Sequence, residues 1–205
     1  MKTADDSSYT LGEIYLKGKG TEKNLAEAIK YFEKAAQVDA TGNEVEDYCK
    51  WDAMLKLAEI YISLRDETTA LDWLTRRNDG NKIFAMSELA HIYYGDDDFE
   101  YEDASLIDKA RAFDWFKKLY ELKDSSGTFY FGEMCEANSA RQALKIYRDG
   151  VILGSAKCCR RAMQIYLAEG DIPAAKEIYK IWETCNKSPL NTYIVRDIFS
   201  MAENF

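Results

Sequence analysis

Five times along this 205-residue chain an apolar run closes on a marked position, and an alanine with two bulky apolar neighbours follows it. Tyr15, Tyr61, Tyr93, Cys135 and Tyr166 close the first runs. Ala28, Ala70, Ala112, Ala143 and Ala175 mark the second runs. Three and four positions after each alanine stand Tyr31/Phe32, Trp73/Leu74, Trp115/Phe116, Ile146/Tyr147 and Ile178/Tyr179. Positions i, i+3 and i+4 share one face of a helix, so each set puts a small residue beside two large ones. A close helix–helix crossing needs that arrangement: the alanine lets the backbones approach, and the large side chains fill the adjoining groove.

The pattern predicts five helix pairs, at about 5–38, 50–77, 82–122, 126–150 and 155–183. Self-similarity at such a period is the signature of stacked helix pairs, each unit packing on its neighbours, within a single domain spanning 1–205. The interval from first-run mark to alanine varies from 8 to 19 residues, and such variation belongs in surface loops, where added length costs little. The longest loop holds Asp96 to Asp103, and a second insertion runs from about Asp39 to Lys50. Ser188 and Pro189 suit the start of one more helix, 189–203, with Leu190, Ile194, Ile198 and Met201 on one stripe. That helix is expected to cover the last repeat; the alternative is a docking or dimer helix.

Composition narrows the class. Apolar residues make up 47% of the chain, with only 11 Gly and 2 Pro, so a folded chain without interdomain linkers is expected. The net charge of −9 argues against nucleic acid and anionic membranes as partners, mildly favours a basic protein surface, and also simply aids solubility. The five cysteines, Cys49, Cys135, Cys158, Cys159 and Cys185, form no CxxC or Cys/His cluster, so no metal or cofactor is expected. Free thiols, no apolar run of membrane length and no apolar stretch near Met1 together suggest a cytoplasmic chain.

Leu11-Gly12, Tyr15, Gly18-Lys19-Gly20, Ala28, Tyr31-Phe32 and Lys34-Ala35-Ala36 resemble the Sel1-like repeat (SLR), a branch of the tetratricopeptide-repeat (TPR) superfamily. The second and fifth units have the shorter spacing of ordinary TPR units, and the fourth lacks the Tyr. The resemblance implies an all-α fold: a right-handed α-α superhelical solenoid of about five helix-turn-helix repeats plus a C-terminal capping helix. It also implies a scaffold that binds proteins on a concave face lined by the first helices. Carried onto this chain, that face includes Tyr9, Glu13, Leu55, Glu59, His91, Tyr94, Phe129, Glu133, Glu136 and Arg160. Its carboxylates could hold Lys or Arg of a partner beside the aromatic contacts, although Glu is also an ordinary helix former on a wet face.

The acidic loop offers Asp96, Asp97, Asp98, Phe99 and Tyr101 as a docking strip, or is simply a solvated insertion. Its sixth residue is Tyr101 where a calcium loop needs Gly, so calcium is not expected. Lys157, Arg160 and Arg161 gather locally, with Arg141, Lys145 and Arg148 before them. No phosphate-loop, nucleophile-elbow or zinc-protease motif is present, and His91 is the lone histidine, so catalysis is not expected. The resulting expectation is a non-catalytic scaffold or adaptor that binds another protein or peptide on its concave face, with a basic partner surface favoured by the charge. The alternatives are a dedicated inhibitor or immunity protein against a basic, toxin-like partner, and a self-associating structural subunit.

Overall fold

The computed structural model describes residues 4–37, 44–95 and 104–185. The terminal helix expected at 189–203, with Ser188 before it, lies outside the described residues, as does the acidic loop Asp96 to Asp103. Within them the chain is all-α, without a strand. Packing divides it into two compact units, Met1–Asp108 and Lys109–Phe205. The third expected pair, 82–122, spans that division.

The first unit holds α1 (Ala4–Lys17), α2 (Leu25–Ala36), α3 (Glu44–Ser63), α4 (Glu67–Arg77), α5 (Lys82–Tyr94) and a 3-10 turn (Ala104–Leu106). The second holds α6 (Lys109–Glu121), α7 (Ser125–Glu136), α8 (Ala140–Ile152), α9 (Ala156–Ala168) and α10 (Ile172–Cys185). Within each unit every helix packs on the next in sequence. It also reaches the next but one where α1 meets α3, α7 meets α9 and α8 meets α10, which is how an α-solenoid grows.

The alanine column is the core of this packing. Ala28, Ala70, Ala112, Ala143 and Ala175 are all completely buried, and so are Phe32, Leu74, Phe116 and Tyr147, each four residues after its alanine. In two pairs the facing residue is a glycine. A Cβ on Gly12 of α1 would stand 2.6 Å from the Phe32 ring of α2, and one on Gly132 of α7 would stand 2.5 Å from the Tyr147 ring of α8. Both glycines lie three residues before the mark that closes the first helix, Tyr15 or Cys135. Where the second helix carries the smaller Leu74, the same place on α3 is Ala58, also completely buried. Ring opposite glycine and leucine opposite alanine conserve the volume of the crossing.

Four turns between consecutive helices share one geometry. Arg65, Lys123, Gly154 and Gly170 are left-handed, with φ of 65°, 60°, 87° and 77°. The N–H of the residue after each one, Asp66, Asp124, Ser155 and Asp171, donates back to the carbonyls of Tyr61, Leu119, Gly150 and Tyr166 at 2.8–2.9 Å. Those same four side chains then cap the next helix by accepting from the N–H of Thr69, Gly127, Cys158 and Ala174. One residue ends a helix and the next begins another, so the chain reverses in the shortest space.

Two substitutions test this frame. Gly132→Ala is expected to lower stability by about 1–3 kcal/mol, although the same change in an open helix raises it by about 1 kcal/mol. Lys123→Gly is expected to raise stability by up to about 1 kcal/mol by relieving the left-handed backbone. Urea unfolding midpoints at unchanged m-value read both signs.

Candidate protein-binding surfaces

In the first unit the side chains expected to face a partner are largely engaged within the protein. Tyr9 is half-buried, its ring 5.6 Å from that of Phe32 and its hydroxyl donating to the carboxylate of Asp52 on α3. Burial and the Asp52 carboxylate together push its hydroxyl pKa well up, so Tyr9 stays neutral and ties α1 to α3. Glu13 pairs with Lys17 one turn on, at 2.5 Å. Leu55 and Tyr94 are half-buried.

Glu59 and His91 lie in the interior, at 8% and 5% exposure, and not on an open face. The cause is the same for both. Lys56 to Ile60 on α3 and Leu89 to Tyr93 on α5 are runs of five consecutive buried residues, and five in a row leave a helix no open side. On α3 the cover comes from α1, α2, α4 and the 3-10 turn. Glu59 is held by Lys56 at 3.1 Å within a cavity of about 430 Å³ between α1, the start of α2 and α3.

Glu88 carries no mark in the linear pattern, yet it joins three helices. Arg77 and Asn78 at the end of α4 donate to its two oxygens, at 2.5 and 2.8 Å, and Arg77 Nε also donates to the carbonyl of Trp51 on α3. Burial raises the Glu88 carboxyl above its usual range despite these two donors. Its two donors lie 10 and 11 positions away on another helix, and one of them reaches a further 26 positions back to Trp51, which no local spacing reveals.

In the second unit α7 supplies Phe129, Glu133 and Glu136, and α9 supplies Lys157, Arg160 and Arg161. The basic gathering divides into three roles. Arg161 takes Glu136 in a two-pronged bond, Nε to Oε2 at 2.9 Å and Nη2 to Oε1 at 2.7 Å, and the Tyr147 hydroxyl donates to the same carboxylate at 2.9 Å. Lys157 lies over Phe129 and Tyr130, its ammonium 5.5 Å from each ring centre. Arg160 is exposed and enters no ion pair among the described residues; Glu133 is exposed on the neighbouring helix, and Phe129 is half-buried. The docking strip expected at Asp96, Asp97, Asp98, Phe99 and Tyr101 lies outside the described residues.

All five cysteines are free, and among the described residues no group of His, Cys, Asp and Glu is placed to hold a metal ion. Burial pushes Cys158 and Cys159 up to about 11 and about 12, so both are inert thiols of the core. No helix among the described residues is long and apolar enough to cross a membrane.

Two stretches, residues 6–38 and 83–124, match the Sel1 repeat family. The chain carries Sel1 repeats. The first stretch contains the Gly12–Phe32 crossing, and the second runs from α5 to the Asp124 cap of α7. Sel1 repeats generally mediate protein–protein interaction and are typically non-catalytic. Among solved structures, a Sel1 repeat protein from Oxalobacter formigenes is 20% identical, with 90% of this chain and 72% of that one covered and a TM-score of 0.44. A protective antigen present in uropathogenic Escherichia coli strains, displaying an SLR fold, is 17% identical, with 88% of this chain and 46% of that one covered and a TM-score of 0.44. This chain thus spans less than half of the antigen's length. No curated protein matches it by sequence.

The Glu136 clamp has a pH signature. Burial by itself would raise this carboxyl, but the bonds from Arg161 and Tyr147 outweigh it and hold the pKa below the usual 4.5. A depressed carboxyl pKa contributes stability that is present above the unfolded value and lost as the pH falls through the folded one. Glu136→Gln is therefore expected to lower the melting temperature near neutral pH, with the gap to the wild type closing below a pH of about 4. Thermal unfolding followed by circular dichroism from neutral to acidic pH checks this; a gap that does not change with pH overturns it.

Proposed function

We propose that this chain is a non-catalytic protein-binding module that holds a partner protein or peptide on the α7–α9 face of its second unit. The observation that carries the reading is the group formed by Phe129, Glu133, Lys157 and Arg160. Phe129 is half-buried with Lys157 across its ring, Glu133 is exposed one helical turn further along α7, and Arg160 is exposed three residues after Lys157 on α9. An apolar anchor between charges of opposite sign offers a partner both burial and orientation. The Sel1 repeats support the same reading, since such repeats generally serve protein–protein interaction. The non-catalytic part rests also on where the displaced pKa values fall. Tyr9, Glu88, Glu136 and Tyr147 all spend their hydrogen bonds on joining one helix to another.

The test is a combined Phe129→Ala, Glu133→Lys and Arg160→Glu variant. Phe129 packs on the core beside Tyr147, with ring centres 6.1 Å apart, so the triple variant is expected to melt lower than the wild type, and a Glu133→Lys, Arg160→Glu pair that keeps Phe129 separates loss of binding from loss of fold. Affinity capture from the native host's lysate, quantified by mass spectrometry, is expected to retain a protein on the wild type that the variant loses. Equal retention by both forms would remove the α7–α9 face as the binding surface.

A further inference from the structure

The C-terminal ends of α6 and α8 meet at one edge of the second unit. There the Tyr120 hydroxyl of α6 donates to the Asp149 carboxylate of α8 at 2.7 Å and fixes the two ends against each other. That bond, with burial, pushes the hydroxyl pKa up to about 12, so the tie persists across the neutral range. Between the two ends lies an open cleft of about 370 Å³, lined by Tyr120, Glu121, Lys123, Asp149, Ile152 and Leu153. Leu122 stands beside it, in the tight turn from α6 to α7. Both of its chain neighbours line the cleft, but Leu122 does not, and it is 52% exposed.

The core of the unit does not use these apolar groups. Ile152 is 56% exposed and Leu153 36%, whereas their neighbour Val151 is completely buried and supplies the contact of this end of α8 with the core. A leucine or isoleucine exposed singly is ordinary on a protein surface. Three gathered around one cleft form a patch of the kind that marks an interaction surface.

Shape and charge indicate what covers it. Leu122 is a projecting apolar knob, and the cleft next to it is a partly apolar hole. A surface that carries both is complementary to a second copy of itself, because a two-fold axis seats each knob in the other copy's hole. The charges follow the same symmetry. Glu121 precedes Leu122 and Lys123 follows it; both are exposed, and neither enters an ion pair among the described residues. A two-fold axis near Leu122 brings Glu121 of each copy to Lys123 of the other, so one pairing is made twice. Asp149, the other carboxylate of the wall, is already held by Tyr120. Two chains of net charge −9 repel, and a surface on which they meet needs both signs of charge, as this edge has.

We infer that this edge is a self-association surface, on which two copies of the chain meet about a two-fold axis with Leu122 of each in the α6–α8 cleft of the other. The surface shares no residue with the group around Phe129 on the α7–α9 face, so its failure and the failure of that reading are separate results.

The experiment is sedimentation velocity on the purified full chain over a wide range of concentration, with circular dichroism of each variant to check the fold. The wild type is expected to pass from the mass of one chain towards that of two as concentration rises. Leu122→Ser, at an exposed position, is expected to weaken this association by at least about tenfold with the fold intact. Glu121→Lys and Lys123→Glu place like charges together and are each expected to weaken it by about tenfold. An equimolar mixture of these two single variants restores both pairs across the axis and is expected to associate as the wild type does, as is the swapped double variant. A wild type that stays at the mass of one chain throughout overturns the proposal. So does a dimer that Leu122→Ser leaves unchanged, which would place the contact elsewhere. Failure of the mixture to recover association overturns the two-fold arrangement. A different protein captured by a chain that remains single, and lost with Leu122→Ser, would make that protein the occupant and overturn the second copy.

Discussion

At Gly12 and Gly132 two helices approach so closely that no Cβ fits between them, and a phenyl or phenol ring occupies the space the glycine leaves. The rest of each unit depends on this contact. It sets the separation within a helix pair, and the separation decides which side chains on the flanking turns touch the next pair. Phe32, placed by Gly12, also packs against Tyr9, and Tyr9 in turn reaches Asp52 on α3. Tyr147, placed by Gly132, puts its hydroxyl on Glu136, and Glu136 collects Arg161 from α9. In both units one small residue thus leads, through a ring and a hydroxyl, to a polar bond that fastens the next first helix.

The turns serve the same economy of space. A left-handed residue ends one helix and the following side chain caps the next, four times in the same way. Two of these positions are glycine, and two are Arg65 and Lys123, which accept a strained backbone. Their strain is the local cost of a reversal that the packing of α3 on α4 and of α6 on α7 imposes.

Polar residues are consumed unevenly by this frame. Glu13, Glu59, Glu88 and Glu136 each have a cation from the same unit, so their charge is largely answered inside the protein. Around the half-buried Phe129 the second unit exposes Glu133, Lys157 and Arg160 on α7 and α9.

Much of the architecture was legible in the linear pattern because it rests on short-range periodicity. The small and large residues of one helix face recur at i, i+3 and i+4 wherever the chain is read, and all five alanines at that spacing are fully buried. The motif Leu11-Gly12 to Ala36 led to the Sel1-like repeat for the same reason. The fate of individual polar side chains was not legible in this way. Glu13, Glu59 and Glu133 each stand two residues before the mark that closes the first helix, yet Glu59 is buried, Glu13 is partly covered and Glu133 is exposed. The difference lies in how many helices surround each one. Glu136 and Arg161 meet across 25 positions, and the cavity beside Glu59 draws its walls from α1, α2 and α3 together. The sequence alone therefore determined which faces pack. Only the tertiary structure decided which charges are buried and which stay exposed, because desolvation and pairing depend on neighbours brought together from distant parts of the chain.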